Sequence, residues 1–195
     1  MMSVIMRRYT FNPVLALTAG ISAAAVLVAL AGAPATLLLR YERHAVLAGE
    51  VWRLLSAHLV HLGNGHLVMN LAALWLIWAV FMRHSGGLRW WLYTLVSALG
   101  VGLGLLTFSP GIQWYVGLSG VLHGLIAAAL IEEYRTAPLM ATGLGIGLAF
   151  KLGWEQFHGA LPSSEHLSGG PVIVDAHLYG AIAGMVIAAA RLRSE

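Results

Sequence analysis

Long apolar segments alternate with short polar ones along the chain, and six of the apolar segments predict helices that cross a membrane. The first of them, residues 13–33, contains no charged side chain. A helix needs about 20 mostly apolar residues to cross the hydrocarbon core of a bilayer. The six predicted spans are 13–33, 62–82, 90–108, 116–131, 138–157 and 172–190. The pattern therefore predicts an all-α polytopic membrane protein, with one membrane domain over residues 1–195.

Composition agrees with this class and excludes others. Hydrophobic residues make up 59% of the chain and charged residues 10%, whereas a soluble domain carries roughly 25% charged residues. The net charge is only +3, and the basic residues lie at the ends of apolar segments, so nucleic-acid binding has no support. The chain has no cysteine, which rules out disulfides and thiolate metal sites.

The first apolar segment has a second interpretation, as a cleavable signal peptide. Small residues of the kind that a signal peptidase accepts occupy positions 31–35. The apolar core of a signal peptide has roughly 7 to 15 residues. Since the segment here is longer, we favour a membrane span.

The distribution of arginines predicts the orientation in the membrane. Six spans place both chain termini on the same side. The arginines on that side are Arg7, Arg8, Arg83, Arg89, Arg135, Arg191 and Arg193. Those on the opposite side are Arg40, Arg43 and Arg53. Because cytoplasmic loops carry the excess of basic residues, we expect both termini in the cytoplasm and the polar connection 37–61 on the outer side.

Polar residues of three spans are predicted to form one site. The second, fourth and sixth spans all begin on the outer side, and each carries polar residues in its first turns. These residues are His66 with Asn70, then Ser119, and finally His177. They lie at similar depth, and polar side chains inside a membrane are costly unless they face a bundle interior or a water-filled cavity. We therefore expect the three groups to share one cavity.

Ser119 is the candidate nucleophile of this site and His177 is its candidate base. A serine hydroxyl is a weak nucleophile until a positioned base takes its proton. Two glycine pairs have the small-xxx-small spacing that lets helix backbones approach closely: Gly120 with Gly124, and Gly180 with Gly184. We expect this packing to bring the hydroxyl and the imidazole within hydrogen-bonding distance.

An oxyanion hole is predicted beside the nucleophile. His66 and Asn70 are four residues apart, hence on one helix face, and both side chains can donate hydrogen bonds. The backbone N–H of Ser119, at a helix N-terminus, is a third donor. One such donor typically lowers a transition state by about 3 to 4 kcal/mol.

These residues together resemble the rhomboid family of intramembrane serine proteases, from about Val51 onwards. The matching pieces are Trp52-Arg53, His61-x4-His66-x3-Asn70, Gly117-x-Ser119-Gly120 and Ala176-His177-x2-Gly180-x3-Gly184. The resemblance implies a six-transmembrane-helix rhomboid-like bundle with a Ser119–His177 dyad. It implies an oxyanion hole lined by His66, Asn70 and the Ser119 amide, and a structural role for Trp52-Arg53. It implies neither a metal nor a cofactor.

Within that family, the residues around the nucleophile are similar to those of rhombosortases. The chain reads Gly-Leu-Ser-Gly-Val-Leu-His-Gly over 117–124, and His123 occupies a position where many rhomboids carry a tyrosine that packs against the catalytic histidine. The resemblance implies a bacterial inner-membrane protein with its active site facing the periplasm. Its substrates would be secreted proteins that carry a C-terminal sorting tail, made of a Gly-Gly motif, one transmembrane span and a basic end.

Four further polar residues lie near the predicted site, and the sequence leaves the roles of three of them open. Asp175 is two residues from His177, on the opposite side of a helix, so we expect a dyad without Asp175. Lys151 and Glu155 are four apart and predict an ion pair, or a contact to the polar end of a substrate. His123 has three open interpretations: a second base, a stacking partner or polar packing.

Three other functions remain as alternatives at this level. Nine histidines are compatible with a b-type cytochrome, which a Soret absorption band would reveal. His58, His61 and His66 are a conceivable metal site, but no carboxylate stands at ligand spacing and no His-Glu-x-x-His motif exists. A non-catalytic rhomboid-like protein that binds membrane clients is the third alternative.

Overall fold

Helices account for nearly all of the regular structure in the computed structural model, which describes residues 12–83 and 87–194. The helices are α1 (Pro13–Leu39), α2 (Arg43–Leu47), α3 (Arg53–Ser56), α4 (Asn64–Ile77), α5 (Arg89–Phe108), α6 (Ser119–Glu133), α7 (Pro138–His158), α8 (Pro162–Ser168) and α9 (Val174–Ser194). A 3-10 turn over Ala57–Leu59 precedes α4, and a π-helical turn over Trp78–Met82 continues it. The all-α class predicted from the sequence is confirmed.

Each predicted span coincides with one of six long helices, namely α1, α4, α5, α6, α7 and α9. Among the described residues, three helices are long and apolar enough by length and composition to cross a membrane: Pro13–Leu39, Asn64–Met82 and Arg89–Phe108. The count of six spans therefore stays a prediction. Arg7 and Arg8, which enter the predicted orientation, lie outside the described residues.

The polar connection before α4 is folded rather than extended. Its strand β1 (Tyr41–Glu42) pairs antiparallel with β2 (Trp114–Tyr115), which lies just before α6. Arg53 is buried and its Nη1 donates to the carbonyls of Leu37 and Arg40, at 2.8 Å each. These carbonyls belong to the end of α1, where helical C=O groups lack intrahelical donors. Arg53 thus ties the connection to the end of α1.

Helices α6 and α9 pack backbone to backbone, where glycines of both helices meet. A Cβ atom built on Gly180 would lie 1.9 Å from the carbonyl oxygen of Gly120, and one on Gly184 would lie 2.0 Å from that of Gly124. Real Cβ atoms do not approach other atoms so closely, so backbone touches backbone here. The small-residue spacing on both helices is the cause.

The helix α6 is short for a membrane span. With 15 residues, α6 is about 22 Å long, shorter than the roughly 30 Å hydrocarbon core. The segment that leads to it is held by hydrogen bonds from Gly117 N–H to the Ala57 carbonyl (3.1 Å) and from the Tyr115 hydroxyl to the Gly117 carbonyl (2.7 Å). We infer that the chain leading to Ser119 within the membrane is irregular backbone rather than helix. Such backbone must be buried in protein or line a cavity.

The connection between α7 and α9 contains a short helix. Residues 158–171 are rich in Gly and Ser, yet seven of them form α8. Pro162 begins the helix, where its fixed φ is favourable, and Gly169 ends it with φ +77. The helix lies over the start of α4, since a Cβ on Gly65 would be 2.6 Å from the Leu167 carbonyl oxygen.

Candidate active site

The structure brings Ser119 and His177 into direct contact. Ser119 is the first residue of α6, and His177 lies in the first turn of α9. The Ser119 Oγ and the His177 Nε2 are 3.0 Å apart, which is hydrogen-bonding distance. The imidazole is 5% exposed. A hydroxyl that donates to a buried imidazole nitrogen is the arrangement from which the nitrogen can take the proton.

The other nitrogen of His177 contacts a carboxylate. His177 Nδ1 donates to Glu155 Oε2 at 2.9 Å, and Glu155 is 1% exposed. One turn earlier on α7, Lys151 Nζ lies 2.7 Å from Glu155 Oε1. Because Nδ1 carries the proton, a neutral ring has its free lone pair on Nε2, facing Ser119. Lys151, Glu155, His177 and Ser119 thus form one continuous polar chain across three helices.

His123 lies against the same imidazole. Its ring stacks on that of His177, with ring centres 4.2 Å apart and planes inclined by 16°. Its Nδ1 donates to the carbonyl of Ser119 at 2.7 Å. The ring is therefore held by its own helix and forms one wall of the site.

Two candidate oxyanion donors lie on α4, and both line the same cavity as Ser119. The Leu62 N–H donates to His66 Nδ1 at 3.4 Å, so a neutral His66 carries its proton on Nε2 and can donate from it. Asn70 Nδ2 donates to the His66 carbonyl at 3.1 Å, which leaves its second amide hydrogen for another acceptor. Both residues are buried. The Ser119 N–H lies in the first turn of α6, where helical N–H groups have no intrahelical acceptor.

Gly117 allows His66 to reach this position. Its φ is +124, a conformation that side-chain-bearing residues rarely adopt. A Cβ there would lie 2.8 Å from His66 Cε1 and 3.0 Å from His66 Nε2. The imidazole consequently packs directly on the backbone two residues before the nucleophile.

All of the site residues predicted from the sequence line one cavity of about 250 Å³. They are His66, Asn70, Ser119, His123, Lys151, Glu155 and His177. Ser164 and Ser168 also line it, so α8 and its neighbours cover the cavity. A second, apolar groove of about 480 Å³ between α4, α6 and α7 shares Ile126 and Lys151 with it. The polar cavity therefore adjoins an apolar groove on the side of α4 and α7.

Two residues from the sequence analysis lie apart from the proton-transfer groups. The Ser109 hydroxyl donates to the Asp175 carboxylate and also contacts the Tyr179 hydroxyl, so Asp175 ties the end of α5 to the start of α9. His61 Nδ1 donates to the Leu59 carbonyl at 3.2 Å, and its ring is edge-on to that of His66, with centres 5.0 Å apart. Burial and the neighbouring His66 lower the pKa of His61 to about 4.

Sequence reasoning missed the contact between Glu155 and His177. The spacing on α7 predicts an ion pair of Glu155 with Lys151 or a contact to substrate, and the ion pair is present. The additional partner lies 22 positions away on another helix. No local spacing signals this contact, because it depends on how α7 packs against α9.

His123, Glu155 and His177 offer three metal-ligating atoms that all lie within 4.8 Å of one another. Their orientation does not suit one ion. The lone pairs of stacked imidazoles lie in nearly parallel planes, so one position cannot lie in both planes, and the Lys151 ammonium already neutralises the carboxylate. Within residues 12–83 and 87–194, His58, His61 and His66 do not form such a group.

A sequence model of the rhomboid domain matches residues 48–194 of the chain. The match covers the site helices α4, α6, α7 and α9 and begins after α1. It therefore includes every residue of the cavity described above.

Several known proteins are similar to part of the chain. RHOMBOID-like protein 5 of Arabidopsis thaliana is 34% identical over 66% of this chain and 43% of its own length. Rhomboid protease GluP of Bacillus subtilis is 26% identical over 66% of this chain and 26% of its own length. Rhomboid protease GlpG of Photorhabdus laumondii is 31% identical over 62% of this chain and 44% of its own length. The chain thus spans less than half the length of each of these relatives.

Proposed function

Because this chain belongs to the rhomboid family, we propose that it is an intramembrane serine protease with Ser119 as its nucleophile and His177 as its base. The observation that carries the proposal is the 3.0 Å contact between Ser119 Oγ and His177 Nε2 inside a membrane-protein cavity. A small residue that merely packs two helices does not need a buried imidazole on its hydroxyl.

The reaction follows from the positions of these groups. Ser119 Oγ attacks the scissile carbonyl carbon while His177 Nε2 takes the hydroxyl proton. The carbonyl oxygen becomes negative and accepts hydrogen bonds from the Ser119 N–H, His66 Nε2 and the Asn70 amide. The imidazolium then gives its proton to the leaving amine, which frees the C-terminal fragment. Water, deprotonated by His177, releases the acyl group and restores Ser119.

Membrane-anchored proteins are the substrates that suit this site. The apolar groove between α4, α6 and α7 adjoins the catalytic cavity at Ile126 and Lys151. An apolar helix in that groove buries lipid-exposed surface while its unwound end reaches the polar cavity. The groove supports entry of a single-span substrate from the side of the bundle.

The finer proposal concerns which substrates are cut. The Gly-Leu-Ser-Gly-Val-Leu-His-Gly sequence over 117–124 is similar to that of rhombosortases, and His123 of this sequence stacks on the base. We propose secreted proteins with a Gly-Gly, single-span, basic C-terminal tail as substrates. The protein would then act in protein sorting at a bacterial inner membrane, with its cavity open to the periplasm.

A serine-reactive fluorophosphonate tests the nucleophile without a known substrate. We expect the full chain in detergent to be labelled at Ser119, as located by mass spectrometry, and Ser119→Ala to be unlabelled. His177→Ala should label at least about 10³-fold more slowly, because catalysis without the base falls by orders of magnitude. Equal labelling of the wild type and Ser119→Ala would contradict the proposal.

Co-expression with a secreted reporter carrying the Gly-Gly tail tests the substrate class. Shortening of the reporter by the wild type but not by Ser119→Ala supports both the protease and the sorting tail. If a generic single-span substrate is cut instead, the protease stands and the tail preference is wrong. Binding of the reporter without cleavage by an inserted, folded protein would favour the non-catalytic client-binding alternative.

A further inference from the structure

We propose that Glu155 is a positioning residue of this site, which fixes the protonated nitrogen of His177 and stabilises its imidazolium, and that Lys151 keeps the carboxylate ionised. This inference rests on the proposed serine protease function. It extends the predicted Ser119–His177 dyad to a chain of four groups, two of which lie on α7.

The geometry gives each oxygen of Glu155 one partner. Oε2 accepts from His177 Nδ1 at 2.9 Å, and Oε1 pairs with Lys151 Nζ at 2.7 Å. The carboxylate is 1% exposed, whereas the Lys151 side chain is 32% exposed and reaches the cavity. A buried carboxylate without a cation would take up a proton rather than stay charged. Lys151 is therefore the group that lets Glu155 act as an anion.

An ionised Glu155 affects both states of the base. In the resting state it accepts a hydrogen bond from the Nδ1–H of His177, which leaves the lone pair of Nε2 facing Ser119. When Nε2 takes the serine proton, the ring becomes positive 2.9 Å from a negative oxygen, and the attraction favours that state. The carboxylate gains no proton in this cycle, so the proton moves only among serine, imidazole and leaving group.

The surroundings of His177 and Glu155 contain three further titratable groups. His66 faces His177 from α4, His123 faces both residues from α6, and Lys151 lies on the same helix as Glu155. The rings of both histidines that face the base are held by hydrogen bonds to backbone atoms. Glu155 is the negative group among these side chains. Its charge therefore stabilises the protonated form of His177.

A purely structural role for Glu155 is the competing explanation. The described part of α7 has few buried residues, namely Ala141, Leu152 and Glu155. Glu155 thus also holds α7 against α9. The experiment must separate loss of packing from loss of charge beside the base, and the pH dependence of the serine's reactivity does so.

We therefore would measure the rate of fluorophosphonate labelling of Ser119 between pH 5 and 9 in the full chain. The rate should fall on the acid side, where His177 is protonated. In Glu155→Gln we expect labelling about 10²- to 10⁴-fold slower, as for loss of the carboxylate in Ser–His–Asp proteases. The midpoint of the acid limb should move to lower pH, because the imidazolium has lost its anionic partner.

Removal of the Lys151 charge should act on the base through Glu155. In Lys151→Met the buried carboxylate has no cation and takes up a proton, so this variant should resemble Glu155→Gln, with slower labelling and an acid limb at lower pH. Lys151→Arg keeps the positive charge beside Glu155, so the carboxylate should stay ionised and the labelling rate should stay within about tenfold of the wild-type rate. Glu165→Gln, at an exposed carboxylate on α8, is the matched control and should change neither rate nor midpoint.

Three outcomes would overturn the inference. The first is a wild-type labelling rate in Glu155→Gln. The second is a slower rate with an unshifted acid limb and a lowered melting temperature, which would assign Glu155 to packing alone. The third is an unshifted limb in Lys151→Met, which would remove Lys151 from the chain of groups.

Failure of the proposed function has a different signature, because the wild type itself would not be labelled at Ser119. In that case, NMR of the ¹⁵N-histidine-labelled protein decides the inference without activity. The Nδ1 proton of His177 should give a downfield resonance that is lost in His177→Ala and in Glu155→Gln. Its persistence in Glu155→Gln at an unchanged position would contradict the role of Glu155.

Discussion

At the scale of single residues, Gly117 sets the position of a proposed oxyanion donor. A methyl group there would fall within 3.0 Å of His66 Nε2 in a backbone conformation with φ +124. We expect Gly117→Ala to displace His66 and slow Ser119 labelling by about 10²- to 10³-fold, the usual cost of losing one oxyanion donor. The labelling rate in detergent, together with the melting temperature, measures this effect.

Gly111→Ala is the matched control for that substitution. A Cβ on Gly111 would meet no atom within 4 Å, although the residue lies in the same segment before α6. It should label at the wild-type rate. Equal rates for Gly117→Ala and Gly111→Ala would show that His66 does not need its observed position.

The lowered pKa of His61 should make the stability of the protein depend on pH. Its pKa is lowered to about 4 by burial and by His66, against about 6.5 in an unfolded chain. Between these values the unfolded state binds a proton that the folded state does not. The contribution of His61 to stability is therefore complete above about pH 6.5 and is lost as the pH falls towards 4. The melting temperature in detergent should decline over this interval, and less steeply in His61→Gln.

An equal decline in His61→Gln would assign the acid sensitivity to other groups. His58 is the natural comparison, because burial also lowers its pKa. Its ring nitrogens contact the carbonyls of Gly117 and Ala98, at 3.2 and 3.1 Å.

The residues of the site differ in how far the sequence reveals them. Ser119, His177, His66 and Asn70 were grouped because they share a depth and a position at the start of their spans, and they do line one cavity. Glu155 is predicted only as the ion-pair partner of Lys151 or as a contact to substrate. Its spacing to Lys151 already gave it a partner, and its contact with His177 arises only from the packing of α7 on α9.

At the scale of helices, the contact of α6 with α9 determines the distance between nucleophile and base. In Gly180→Ala the new methyl would lie 1.9 Å from the Gly120 carbonyl oxygen, so the helices must separate. Overpacking of this kind costs about 1 to 3 kcal/mol of folding free energy. A shift near 1 Å in the reacting groups can slow a reaction about 10²-fold. We expect a lower melting temperature and slower labelling of Ser119.

The control for helix packing is Gly20→Ala on α1, where a Cβ would meet no atom within 4 Å. Alanine is the better helix former by roughly 0.5 to 1 kcal/mol, so this variant should be at least as stable as the wild type. A Gly180→Ala protein with wild-type stability and labelling would mean that the helices of the working protein are further apart.

Short elements were the part of the fold that the sequence did not reveal. The pairing of Tyr41 with Tyr115 joins two strands of two residues each, and α8 has seven residues. Such pieces are too short for an apolar period and are marginal in isolation. They form because neighbouring helices hold their ends. The long helices, in contrast, can be predicted from the apolar segments that form them.

At the scale of the whole molecule, the predicted orientation has both termini in the cytoplasm. Six spans and the excess of arginine on one side lead to this expectation. Fusion of green fluorescent protein after residue 195 should give fluorescent cells. Alkaline phosphatase fused after Gly111, in the segment that leads to the nucleophile, should be active, since the enzyme folds only outside the cytoplasm.

The same two positions, each fused in turn to the other reporter, also test the number of spans. Phosphatase activity after residue 195 would mean an odd number of crossings from a cytoplasmic N-terminus, and α7, which carries Lys151 and Glu155 within its length, would be the first helix to reconsider. A fluorescent fusion at Gly111 would instead place the cavity on the cytoplasmic side.

The glycine contact between α6 and α9 also limits how related sequences can diverge. Where two side chains touch, a larger residue on one helix can be balanced by a smaller one on the other. At Gly180 and Gly184 the first atom that a Cβ would meet is a backbone carbonyl oxygen, which no mutation can shrink. A second substitution therefore cannot compensate for a larger residue at these two positions, and lineages that keep the reaction should keep both glycines while the exposed sides of the two helices change freely.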